Sequence, residues 1–108
     1  MSDPDALFGR LITRFSADRK VTPPTTKAGK FGTAALKVNG KIFAFLSQGD
    51  LVVKLPRERV DELIASKTGK PFDAGRGKVM KEWVAIAPQE SRRWPKLADD
   101  ARDFVSGR

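Results

Sequence analysis

At 108 residues, with 21 Lys and Arg against 13 Asp and Glu for a formal charge of +8, the chain is one basic domain with no room for a second. Histidine, cysteine and tyrosine are all absent, which excludes disulfides and thiolate metal sites and removes three common acid-base or nucleophilic groups. No apolar run approaches the roughly 18 residues of a membrane span, and the opening MSDPDA lacks the basic and apolar regions of a signal peptide, so the expectation is a cytoplasmic, non-enzymatic protein without metal or cofactor.

Residues 4 to 18 read as an amphipathic helix. Asp3 can cap it, Pro4 suits its first position, and Leu7, Phe8, Leu11, Ile12 and Phe15 recur at helical spacing. Residues 19 to 30, RKVTPPTTKAGK, have no periodicity and read as a flexible basic loop.

Phe31 to Leu55 reads as three short strands. Asn39-Gly40 stands between two β-rich runs, where a type I′ turn needs positive φ at both central residues. An uninterrupted two-residue hairpin sets Val38 opposite Lys41, Leu36 opposite Phe43 and Ala34 opposite Phe45. The expected core face is then Leu36, Val38, Phe43 and Phe45, with Ile42, Ala44 and Leu46 on the other side. Gln48-Gly49-Asp50 makes the next turn, and Leu51, Val53 and Leu55 alternate along the third strand.

Pro56 opens a second helix with Val60, Leu63 and Ile64 inward and Arg57, Glu58, Asp61 and Glu62 outward, and Gly69 is expected to end it. Residues 70 to 78, KPFDAGRGK, read as a turn-rich connector with room for a strand edge near Phe72. Lys78 to Ile86 reads as further strand, ended by Pro88. A last helix runs from about Arg92 to Val105, with Trp94, Leu97, Ala98, Ala101, Phe104 and Val105 on one stripe. The order is helix, three strands, helix, one or two strands, helix.

The charge is unevenly spread. No acidic residue falls between Asp18 and Asp50, a window that contains Lys20, Lys27, Lys30 and Lys37; a second cluster holds Arg76, Lys78 and Lys81. These seven are the candidate nucleic-acid contacts, because clustered cations raise the local concentration of anions. The acidic groups Glu58, Asp61, Glu62 and Asp99, Asp100, Asp103 lie beside Lys or Arg on predicted helices, where a solvated face is the favoured reading. Gly75-Arg76-Gly77-Lys78 could cradle a phosphate, but Val79 follows where a P-loop has Ser or Thr, and an ordinary turn is favoured. Core packing is favoured over base stacking for both Trp83 and Trp94.

GKIFAFLSQGDLVVKLPRERVDEL (Gly40 to Leu63), KPFDAGRGKVMKEWVAI (Lys70 to Ile86) and the Trp94-containing helix together resemble the TfoX N-terminal domain family and the related YjbR (MmcQ) proteins. The resemblance covers about residues 31 to 105. It implies an α+β domain of secretion-chaperone-like fold, ordered α-β-β-β-α-β-β-α, with an antiparallel sheet covered by helices. It also implies an association with competence regulation and a likeness to a double-wing DNA-binding fold, without a residue-level motif. The leading expectation is a small non-enzymatic module that contacts nucleic acid through phosphates, without base specificity. The alternative is a protein-interaction module or homodimer using the sheet face of Ile42, Ala44 and Leu46.

Overall fold

The computed structural model describes residues 4–22, 35–73 and 79–107. Over these, the chain runs through α1 (Pro4–Arg14), β1 (Val21–Thr22), β2 (Ala35–Val38), β3 (Lys41–Ser47), β4 (Asp50–Lys54), α2 (Arg57–Ala65), β5 (Lys70–Asp73), β6 (Val79–Ile86), a 3₁₀ turn (Pro88–Arg93) and α3 (Trp94–Val105). The strands form one six-stranded antiparallel sheet in the order β1-β2-β3-β4-β6-β5. The fold is α+β, as the pattern of elements implies, with a two-residue strand, β1, added ahead of the expected meander. Both edge strands are short, and Pro71 sits in β5 beside a register shift.

Both hairpins of the meander turn through two residues with positive φ: Asn39 and Gly40 at 53° and 80°, Gln48 and Gly49 at 52° and 85°. That is the type I′ geometry, which matches the twist of the strands it joins.

Away from the first turn the pairing departs from the expected register. Val38 opposes Lys41 and Lys37 opposes Ile42, but Leu36 then opposes Ala44 and Ala35 opposes Phe45, so Phe43 is the extra residue of a β-bulge. The bulge lets two consecutive side chains, Phe43 and Ala44, both turn into the core at 0 % exposure. Phe43 packs edge-on to Phe15, 5.3 Å between ring centroids. Alternation resumes one residue out of step. Leu46 therefore packs against the core, and Phe45 lies on the opposite face, the reverse of the expected placement.

A single core joins the three helices to one face of the sheet. Phe8, Leu11 and Phe15 from the first helix and its end, Val60 and Leu63 from α2, and Trp94, Leu97, Ala98 and Ala101 from α3 meet Leu36, Val38, Leu51, Val53, Val84 and Ile86. Trp94 is the largest side chain in it, and its indole N–H donates to the carbonyl of Ala87 at 3.2 Å, which satisfies its polar atom and ties the 3₁₀ turn to α3. Helix α2 ends at Ala65, four residues before Gly69. Lys67 (φ 64°) turns the chain, while Gly69 is needed for space, since a Cβ there would meet Val84 Cγ2 at 2.5 Å. Among the described residues, no helix is long and apolar enough to cross a membrane.

Candidate functional site

The sheet has a second face, to which no described helix contributes a core residue. Strand alternation places Phe45, Val52, Lys54, Trp83 and Ala85 there: Val52 opposes both Phe45 and Ala85, and Lys54 opposes Trp83. Val52 and Ala85 are nevertheless buried. Above them, half-buried aromatic rings converge from three strands, Phe45 with Phe72 at 5.6 Å and Phe45 with Trp83 at 5.4 Å between centroids. Trp83 is thus not a core residue, contrary to the favoured reading, whereas Trp94 is one.

One end of this face is cationic. Lys37 opposes Ile42 on the outer side of β2 and β3. Lys54 lies with its Nζ 5.7 Å from the centroid of the Trp83 ring, and Lys81 stands two residues before Trp83 in β6, where β6 shifts register against β5. The registers bring Lys37 and Lys54 to the same end, on β2 and β4, and Lys81 follows toward that end along β6. With adjacent strands about 4.8 Å apart, Lys37 and Lys54 are separated by about 10 Å across the sheet. Lys20 joins them from the turn before β1, where its carbonyl accepts the N–H of Asn39 at the hairpin tip. Lys20, Lys37 and Lys81 are exposed.

Of the seven sequence candidates, Lys20, Lys37 and Lys81 lie on or beside strands of the one sheet; Lys27, Lys30, Arg76 and Lys78 lie outside the described residues, as does the Gly75-to-Lys78 turn. Lys54 is the addition that sequence reasoning missed. Its signal was its place two residues before Pro56 on a strand, but the β4–β6 pairing that sets it over Trp83 joins elements separated by a whole helix.

Three acidic residues are engaged with cations of the helices, while Glu58, Asp61 and Glu62 are exposed as expected. Asp99 takes a two-pronged contact from Arg14 of α1 (3.0 and 2.6 Å), and Asp100 pairs with Arg59 of α2 and with Lys96 at 3.2 Å each. Asp18, beyond α1, accepts from Arg102 of α3 at 2.8 and 3.3 Å and from the backbone N–H of Lys20 at 3.0 Å. Hydrogen bonding from Arg102 holds the Asp18 carboxyl below the usual range, partial desolvation opposing it, and the same contact raises Arg102. These carboxylates tie helices together rather than merely facing solvent. Among the described residues, Lys20, Lys37, Lys54 and Lys81 have no carboxylate oxygen within ion-pair distance.

At the other end of the same face is a cleft of about 240 Å³ lined by Ser47, Gln48, Asp50, Lys70 and Phe72 over Val52 and Ala85, with Lys70 and Asp50 paired at 3.1 Å. Among the described residues, no group of three or more His, Cys, Asp or Glu is arranged to hold a metal ion.

The family model described as YjbR matches residues 21–103, which includes every strand of the sheet, α2 and most of α3. No curated protein and no solved structure matches the chain.

Proposed function

The chain belongs to the YjbR family, and from that premise we propose that it is a small, non-enzymatic binding module whose open sheet face takes nucleic acid through phosphate contacts. The observation that supports this is the set of four lysines, Lys20, Lys37, Lys54 and Lys81, toward one end of a sheet whose outer face none of the described helices lines, while Asp99 and Asp100 pair with cations of the helices and Asp18, in the turn after α1, pairs with Arg102 of α3. The acids that pair on the helical side leave these four lysines without an ion-pair partner among the described residues, so this end of the sheet keeps its positive charge.

Phosphate contacts have a thermodynamic signature. Each one releases condensed counterions, so four would give a log-log dependence of affinity on salt with a slope of about −3.6 on duplex and about −2.8 on a single strand. Titration of the protein with DNA at several salt concentrations tests this. A flat response, or no binding at low salt, rejects nucleic acid as the ligand.

The alternative of a protein partner or second copy on Ile42, Ala44 and Leu46 loses most of its surface. Ala44 is fully buried and Leu46 packs against the core, leaving Ile42, 41 % exposed, as the one large apolar side chain strongly exposed among the described residues. A lone exposed aliphatic is ordinary on a monomer.

A further inference from the structure

We infer that the nucleic acid taken by the outer sheet face is single-stranded, with bases lying against Phe45, Phe72 and Trp83 and phosphates on the lysine end. This rests on the phosphate-binding proposal and goes further by naming the kind of strand. The face carries lysines, aromatic rings and a polar cleft, with Lys54 level with Trp83 and Phe72 shared between the rings and the cleft. A duplex offers the lysines its phosphates and has nothing for the rings and the cleft, because its bases are already stacked and paired. A single strand offers ring faces and base edges as well, and every base has a ring face to stack whatever its sequence.

The cation over Trp83 joins the lysines to the rings. Lys54 can meet a phosphate while the indole beneath it meets the adjoining base, so one residue pair reads both halves of a nucleotide. The cleft marks the far end. Its Ser47 hydroxyl, Gln48 amide and Lys70 ammonium can bond a base edge. Asp50 is there too, and its carboxylate repels a phosphate but accepts from the amino group of a base. At about 240 Å³ the cleft has room for one splayed base against the Phe72 ring.

The experiment compares a short oligothymidylate, a mixed-sequence oligonucleotide and its duplex at one low salt concentration, using tryptophan emission and anisotropy of labelled DNA. Trp94 is buried and Trp83 is not, so quenching by stacking reports on Trp83. The expected result is about tenfold or greater preference for the single strands, with quenching. Trp83→Leu should lose about ten- to a hundredfold in single-strand affinity and the quench, with duplex affinity unchanged, while Trp83→Phe should retain most of the binding. Thermal melts of both variants establish that they fold. Equal affinity for single strand and duplex without quenching overturns single-strand stacking and leaves the phosphate contacts standing. Binding to neither at low salt overturns both, and quenching that persists in Trp83→Leu overturns the placement of the bases.

Discussion

The Lys54 ammonium lies over the indole of Trp83, 5.7 Å from its ring centroid, because the β4–β6 register sets the two residues directly opposite one another. Both groups face the open side of the sheet. Replacing Lys54 with Gln should cost about 0.5–1 kcal/mol in urea denaturation from the lost cation–π contact and should flatten the salt slope of DNA binding by about 0.7–0.9. Lys54→Arg should preserve both. A Gln variant with an unchanged slope would remove Lys54 from the phosphate contacts.

The bulge at Phe43 makes neighbouring phenylalanines unequal. Phe43 is fully buried against Phe15, so Phe43→Ala should destabilise by about 3–5 kcal/mol. Phe45 is half-buried on the outer face, and Phe45→Ala should cost clearly less, about 1–2 kcal/mol. Paired chemical denaturation curves check this directly. Equal losses would mean the two rings share one environment, as an unbulged hairpin would have it.

Gly69 is packed so tightly that even a methyl group must displace its neighbours. A Cβ would lie 2.5 Å from Val84 Cγ2 and 3.1 Å from Ile86 Cδ1, both in strand β6 of the core. Gly69→Ala should therefore lower stability by about 1–3 kcal/mol through overpacking, seen as a fall in melting temperature. Gly9→Ala in α1, where nothing lies within 4 Å, should instead be neutral or mildly stabilising.

Acid should loosen the joint between the two ends of the chain. Asp18 has a depressed folded pKa, mainly because Arg102 hydrogen-bonds its charged form. Its contribution is therefore present above its unfolded value of about 3.9 and is lost as pH falls from there through the folded pKa. Asp18→Asn should destabilise the fold at neutral pH by the amount expected of a partly exposed pair, up to about 1 kcal/mol, seen as a lower melting temperature. The difference from the unsubstituted protein should shrink as the buffer is taken below about pH 4. A difference that stays constant with pH would assign the effect to the turn alone.

Helix faces and turns were legible because they depend on local chemistry. Leu7, Phe8, Leu11 and Ile12 recur at a fixed period, and Asn39-Gly40 has one cheap way to place two residues at positive φ. The hairpin register was legible only as far as the first two pairs. What displaces it is Phe43, whose burial against Phe15 depends on a helix almost thirty positions earlier, and no turn rule senses such a contact. The same limit hid the outer face. Trp83 and Phe45 look like core residues by hydrophobicity alone, and only the β4–β6 register, together with the displaced alternation of β3, shows them pointing away from the helices. Lys37 and Lys81 were found from charge, but their membership of one sheet, on β2 and β6, follows from strand order. That order inserts β6 between β4 and β5, an arrangement composition does not encode.

The sheet's two margins, the two-residue β1 and the proline-bearing β5, give an added strand little to pair with. Pro71 has no N–H to donate, and a two-residue ribbon cannot template a longer one. Among the described residues, lateral growth into fibres is discouraged at both borders. A ligand of the proposed kind would therefore approach broadside, onto side chains, and its selectivity would come from the rings, the ammonium groups and the polar cleft.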